Sequence, residues 1–266
     1  MLALALGGGA SRGFAHVGVI GALLAGGYDG EALRRIADEM TEQELRDIVF
    51  PDRGFVSGKR VREFIDRHLD HRSIEDLPRR FAAVATDLRS GEAIAFNHGD
   101  PGIAVQASSS IPGVFQPVRI GGREYVDGGL ASPVPVGTAR RMGADVVVAV
   151  DVGRRPEYAT VLSTDFAVVM QAIAIMERHV GQEERAQADV LIAPDLSHIG
   201  ALDFAHRDLA IEAGARAARA ALPAIRAAIE RARARYSATS IRSRPERLAW
   251  YSAPSARASS CSSDSP

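Results

Sequence analysis

One stretch of the sequence, DVVVAVDV at residues 145–152, limits the fold more than any other. Valine fills it almost without a break, and such a run is typical of a parallel strand that is buried on both faces. A strand of this kind needs helices on both faces of its sheet. The segment directly before it, PVPVGTARRMGA, is predicted to be a helix. The sequence therefore predicts an α/β fold with a mostly parallel central sheet.

The remaining segments agree with this fold class. Residues 2–6 predict a fully buried strand, and residues 13–26 predict a helix after a glycine turn. Two hairpins are predicted, one around Arg89-Ser90-Gly91 and one within VRIGGREYV. A long helix over 164–188 and the strand DVLIAP follow. We expect one domain over residues 1–236 and a disordered tail, rich in Ser, Arg and Pro, over residues 237–266.

Charge and composition exclude some classes of protein. The formal net charge of −1 gives no general attraction to nucleic acid, and the single cysteine, Cys261, fits a reducing compartment. The start, Met1 to Leu6, lacks the basic region of a signal peptide, and no apolar run approaches the roughly 18 residues of a membrane span. We therefore expect a soluble cytoplasmic protein. Peripheral membrane contact stays open, but a solvated helix face explains the late arginines better: Arg226, Arg231, Arg233, Arg235, Arg242 and Arg244.

The glycine turn GGGASRG, residues 7–13, carries the first candidate site. Its Gly9-Ala10-Ser11-Arg12-Gly13 fits G-x-S-x-G, the pattern around the nucleophile of a serine hydrolase. Consecutive N–H groups between a strand and a helix also suit a phosphate or an oxyanion, and a plain tight turn is the alternative. A dinucleotide-binding fingerprint does not fit, because Ala10 stands where its second glycine belongs.

The second candidate is Asp127-Gly128-Gly129, directly after a predicted strand. Asp-Gly alone is most often an ordinary turn. However, its surroundings, ASSSIPGVFQPV upstream and ASPVPVGTARRMGADVVVAVDV downstream, resemble the bacterial patatin-like phospholipase family. The resemblance covers most of the chain, roughly residues 2–236.

The resemblance implies a three-layer α/β/α sandwich and hydrolysis of lipid acyl esters by a Ser-Asp dyad, with no histidine base, metal or cofactor. In that family the glycine-rich loop is the oxyanion hole, which here matches Gly7, Gly8 and Gly9. Arg12 and Gly13 match the residues that close the loop, and Asp127 matches the aspartate that accepts the serine proton. The substrate implied is an acyl ester or a phospholipid.

The nucleophile that the family carries on a second G-x-S-x-G elbow has no match in this chain. Ser11 lies in the oxyanion segment, where its hydroxyl cannot also attack the same carbonyl carbon, and no other serine has glycines two places on either side. GFAHVGVI resembles the helix before the missing segment and GALLAGGYDGEALRRIA the helix after it, so we predict one fused helix, joined near residues 19–22, and a sheet that lacks one core strand. A natural deletion, an error in the gene sequence and an engineered change all stay open as its origin.

Two functions follow from this pattern. The first is a patatin-like lipid acyl ester hydrolase, and the second is an inactive descendant that binds acyl chains or a partner protein. Histidine offers no alternative base or metal site, because the seven histidines have no metal-ligand spacing and we expect structural or surface roles for them: His16, His68, His71, His98, His179, His198 and His206.

Overall fold

The computed structural model describes residues 1–24, 53–153, 155, 162–200 and 203–242. The helices predicted between residues 31 and 50 lie outside these ranges. The chain divides into two compact units, Met1–Ile229 and Glu230–Pro266. The candidate site residues all belong to the first unit, and the second contains the end of the last helix.

Strands and helices alternate along the described chain, as the sequence predicts. The strands are β1 (Leu2–Leu6), β2 (Ala83–Asp87), β3 (Ala93–Phe96), β4 (Val118–Ile120), β5 (Arg123–Asp127), β6 (Val146–Val150) and β7 (Val190–Ile192). The α-helices are α1 (Phe14–Leu24), α2 (Lys59–His68), α3 (Pro101–Ser108), α4 (Val136–Arg141), α5 (Asp165–Ala186) and α6 (Arg207–Arg242). Single 3-10 turns cover Ala10–Gly13, Ile74–Asp76 and Gly128–Leu130.

The described strands form two sheets. In the first, β1, β6 and β7 run parallel in that order, with Leu4 opposite Val148. Every residue of β6 is buried, which confirms the interpretation of the valine run. The second sheet is antiparallel, in the order β3-β2-β5-β4, and contains both predicted hairpins. The α/β class and the parallel sheet are confirmed.

Two helix starts near the site have local causes. Asp100 caps α3, because its carboxylate accepts the Ile103 N–H at 3.0 Å and Pro101 occupies the first helical position. Thr164 caps α5 in the same way through the Ala167 N–H at 3.1 Å. These caps fix where α3 and α5 begin, and the candidate site is lined by α5 itself and by the segment that follows α3.

The first strand differs from its prediction. We expected a fully buried strand, but only Ala5 of β1 is buried, while Leu2 is 51% exposed and Leu4 and Leu6 are partly exposed. The reason is that β1 lies at an edge of its sheet: it pairs with β6 on one side, and no other described strand pairs with it. An edge strand leaves one row of N–H and C=O groups without ladder partners.

This edge leads to an expectation about stability. An unpaired strand edge can pair with the edge of a second copy of the chain, and exposed apolar side chains such as Leu2 favour that association. We therefore expect the chain to self-associate or to unfold over a broad temperature range. Calorimetry combined with sedimentation measures both properties, and a single sharp unfolding transition of a monomer would contradict the expectation.

The end of the described chain is one continuous helix. α6 runs to Arg242, six residues beyond the predicted domain end at Tyr236, and the remaining residues of the predicted tail lie outside the described ranges. The boundary at residue 236 therefore stays a prediction. None of the helices that the structure describes is both long and apolar enough to cross a membrane.

Candidate functional site

The glycine turn joins β1 to α1, as predicted. Gly7 and Gly9 have no room for a side chain, because a Cβ would lie 2.9 Å from the Val150 carbonyl oxygen at Gly7 and 2.6 Å from the Val152 carbonyl oxygen at Gly9. The loop therefore follows the carboxyl end of β6 closely. This is the edge of a parallel sheet at which ligands of open α/β folds bind.

The amides of the turn do not all face the same way. The Gly7 N–H donates to the Val150 carbonyl at 2.8 Å, and the Gly8 N–H donates to the Pro133 carbonyl at 3.0 Å. The prediction that Gly7, Gly8 and Gly9 all donate to an oxyanion is therefore corrected for Gly7 and Gly8, because their N–H groups already donate to backbone carbonyls of neighbouring segments. Within the described part of the chain, the Gly9 N–H has no hydrogen-bond acceptor.

Asp127 ends β5 and caps the turn that follows it. Its Oδ1 accepts the Gly129 N–H at 2.7 Å, while its backbone N–H donates to the Ser110 carbonyl at 2.9 Å and its carbonyl accepts the Thr86 hydroxyl at 2.8 Å. Burial raises the pKa of Asp127 to about 6. The Asp-Gly-Gly segment is thus a buried turn that holds one carboxylate in a fixed position, not an ordinary surface turn.

The glycine loop and Asp127 line one cavity of about 110 Å³. Gly8, Gly9 and Arg12 contribute from the loop, and Asp127 and Gly129 from the turn after β5. The other side comes from α5 and from the segment after α3, with apolar contributions from Ile111, Pro112, Met170, Ile173 and Ala174. The fold thus brings the glycine loop and Asp127, about 115 residues apart in sequence, to the same cavity.

Arg12 and Gly13 lie at the end of the glycine turn, directly before α1. The Arg12 side chain is buried, lines the cavity and donates through Nε to the Gly9 carbonyl at 3.3 Å. Gly13 ends the 3-10 turn directly before α1 begins. Arg12 is therefore the cation of the glycine loop that faces the site.

Ser11 is buried outside this cavity. Its Oγ donates to the Gly200 carbonyl at 2.9 Å and accepts the Asp203 N–H at 3.1 Å, so the hydroxyl connects the turn to residues 200–203. Two more serines of the predicted pocket segment also bond to the backbone: Ser108 Oγ donates to Val84 and Ser110 Oγ to Gln106, both at 2.7 Å. None of these three hydroxyls lines the cavity.

His16 has a structural position. Its Nε2 lies 2.9 Å from the Gly7 carbonyl oxygen, and burial lowers the pKa of the ring. An uncharged His16 at this point supports the glycine loop from the α1 side. It does not line the cavity that holds Asp127.

Sequence reasoning missed the charged residues that α5 contributes. Glu177 and Arg178 line the cavity together with Arg185, and both arginine Nη1 atoms lie 3.6 Å from Oδ2 of Asp151, just after β6. A sequence signal for Glu177 does exist. Glu177 is the first charged residue after eleven uncharged ones in α5, residues 166–176. A carboxylate next to such a long uncharged stretch indicates a position close to buried parts of the protein.

Comparison with known proteins gives consistent matches. The patatin-like phospholipase family model matches residues 20–140. An NTE family protein of Mycobacterium tuberculosis is 31% identical over 274 residues, covering 84% of this chain and 46% of the relative. Another NTE family protein of that organism is 32% identical over 173 residues, covering 56% of this chain and 48% of the relative. Patatin-like phospholipase domain-containing protein 7 of Rattus norvegicus is 30% identical over 186 residues, covering 59% of this chain and 14% of that protein.

These matches agree with the fold, and the family match includes the segment around Asp127. The strands and helices form an α/β fold that is consistent with a three-layer α/β/α sandwich. The chain belongs to the patatin-like phospholipase family. It spans about half the length of the mycobacterial relatives that it matches.

Proposed function

We propose that this chain carries the oxyanion loop and the base of a lipid acyl ester hydrolase with a Ser-Asp dyad, and that it lacks the segment with the nucleophile. The observation that carries the proposal is the shared cavity, which Gly9, Arg12 and Asp127 all line. A developing oxyanion needs N–H donors or a cation on one side of the acyl carbon, and a nucleophile needs a base on the other.

The roles follow from the chemistry of acyl transfer. A serine Oγ attacks the acyl carbon while Asp127 takes the hydroxyl proton, and the carbonyl oxygen becomes an oxyanion next to the Gly9 N–H and the Arg12 guanidinium. The bond to the leaving alkoxide then breaks, and Asp127 returns the proton to it. Water then attacks the acyl carbon of the acyl-enzyme while Asp127 takes a proton from it. The bond to the serine oxygen breaks, and Asp127 returns the proton to the serine. Asp127 and the glycine loop are present for this sequence, and the serine is the missing group.

Three observations support a missing segment. The alignment with the 31%-identical relative has 274 positions, which is more than the 266 residues of this chain. It nevertheless includes only 84% of the chain's residues. About 50 alignment positions of the relative are therefore opposite gaps in this chain. The family match begins at residue 20, inside the predicted junction at residues 19–22, and α1 is a continuous helix across that junction. The edge position of β1 fits a sheet from which a neighbouring strand has been removed.

A second function is supported by the apolar surface of α5. Phe166, Val169 and Met176 are 51%, 56% and 58% exposed, on the same helix that lines the cavity through Met170 and Ile173. A chain without a nucleophile that keeps this surface would bind an acyl chain or a partner without cleaving it. A peripheral position at a membrane is compatible with either function.

Labelling with a serine-directed fluorophosphonate tests whether this chain has a working nucleophile. We expect no stoichiometric labelling of this chain, because the Ser11, Ser108 and Ser110 hydroxyls bond to the backbone outside the cavity. Mass spectrometry of the intact protein measures the modification, and an intact patatin-like relative serves as the positive control. Ser11→Ala should give the same result as the unaltered chain. Stoichiometric labelling at any serine would show that the chain has a working nucleophile.

A further inference from the structure

Two carboxylates lie close together at the cavity. A Cβ built on Gly129 would lie 3.0 Å from Oδ1 of Asp127 and 2.9 Å from Oε1 of Glu177, so the two oxygens are no more than about 6 Å apart. Both side chains line the same cavity, Asp127 from the end of β5 and Glu177 from α5. Like charges at this distance in a partly dehydrated space repel strongly, because the surroundings screen them less than bulk water does.

We propose that Glu177 and Asp127 form a proton-sharing pair, in which Glu177 keeps its proton near neutral pH while Asp127 carries the negative charge. Glu177 is then a positioning residue that acts on the reaction through Asp127. This role rests on the proposed function of Asp127 as the base, whereas the pair itself is a property of the chain as it exists.

The other charged groups at the cavity have partners of their own. Arg178 and Arg185 both approach Asp151, at 3.6 Å from its Oδ2. Arg12 acts on Glu177 and favours its ionised form, while His16 is buried with a lowered pKa on the far side of the glycine loop. Arg12 is therefore the cation whose charge opposes retention of the proton on Glu177.

The acidities support this order of ionisation. Burial raises the pKa of Asp127 to about 6. Burial, with a further contribution from the charge on Asp127, raises the pKa of Glu177 to about 7, against the opposite effect of Arg12. Asp127 therefore loses its proton first, and its charge delays the ionisation of Glu177. Two groups that interact in this way titrate as a pair.

The pair has a consequence for the proposed reaction. Asp127 can accept a serine proton only after it has ionised, which requires a pH above about 6. Once Glu177 ionises, above about pH 7, a second negative charge stands in the cavity where an oxyanion would develop. Glu177 thus sets the upper limit of the pH range in which the site is suited to acyl transfer.

Carboxyl-carbon NMR on the unaltered chain tests the pair without any hydrolysis assay. We expect the Asp127 carboxyl signal to show a main titration step near pH 6 and a second, smaller step near pH 7 as Glu177 ionises. Glu177→Gln should remove the second step and leave the first in place. Asp127→Asn should lower the midpoint of Glu177, because the charge that delays its ionisation is then absent. Glu183→Gln, the same change at an exposed position of α5, should alter neither step.

The proposal is overturned if Asp127 shows one step in the unaltered chain, or if both carboxylates titrate below about pH 5 as exposed groups do. It is also overturned if Asp127→Asn leaves the Glu177 midpoint unchanged. The first measurement needs no variant, so it decides the matter even if Asp127→Asn does not fold. A failed ester assay would leave these titrations unaffected, so failure of the pair and failure of the proposed function are distinguishable.

Discussion

Ester hydrolysis by this chain is expected to be slower than that of an intact patatin-like relative by a factor on the order of 10⁵ to 10⁶. The expectation follows from what the site lacks. Asp127 and the glycine loop line the cavity, but no serine among the described residues lines it, and the hydroxyls of Ser11, Ser108 and Ser110 bond to the backbone. Without a nucleophile only binding and oxyanion stabilisation remain, and these provide a small part of the rate enhancement of a serine hydrolase.

Turnover of p-nitrophenyl esters over a series of acyl-chain lengths measures this loss. The series matters because a chain-length optimum would report binding at the cavity even when the rate is low. Turnover that is fast and sensitive to a serine probe would show that another serine has taken over the role. Ser11→Ala would then identify or exclude Ser11 directly, because its hydroxyl bonds to Gly200 and Asp203 in the present structure.

Insertion of a relative's strand and G-x-S-x-G elbow near residues 19–22 is expected to create ester hydrolysis where almost none exists. The junction lies within α1, which is continuous over Phe14–Leu24. The inserted strand has a place to pair, since β1 lies at an edge of its sheet. Under the proposed function, the elbow would then supply the nucleophile to the cavity that Gly9, Arg12 and Asp127 line.

Matched variants separate restored chemistry from a better fold. An insertion whose elbow serine is alanine should fold equally well and stay inactive. Ser11→Ala in the active insertion variant should leave turnover largely intact, because Ser11 lies outside the cavity. Turnover, unfolding temperature and probe labelling should be measured on all three proteins. Equal activity of the serine and alanine elbows would contradict the assignment of the nucleophile.

Local patterns were sufficient to predict much of the fold. The β2–β3 hairpin was predictable because Arg89-Ser90-Gly91 supplies turn residues between two apolar segments, and the observed strands pair directly across it. The burial of β6 was predictable because a valine run at this length suits a strand covered on both faces. In both cases the signal lies within a few residues of the feature.

Features that depend on distant parts of the chain were not predictable. The exposure of Leu2 follows from the position of β1 in the sheet, which no pattern within Leu2–Leu6 encodes. The Gly8 amide bonds to the carbonyl of Pro133, 125 positions away in the sequence. Glu177 reaches Asp127 only because α5 packs over the turn after β5. The motifs thus indicated which residues form the site, and the tertiary fold decided which atoms face it.

The most direct test of the account is the ratio of ester turnover between the insertion variant and its Asp127→Asn derivative. An amide cannot accept the serine proton, so we expect Asp127→Asn to lower turnover by at least about 10²-fold. The insertion variant and its Asp127→Asn derivative must first be shown to fold alike, because the Asp127 carboxylate also accepts the Gly129 N–H. A ratio near one, or a folded insertion variant without activity, would contradict the assignment of Asp127 and the glycine loop to the two halves of an acyl hydrolase site.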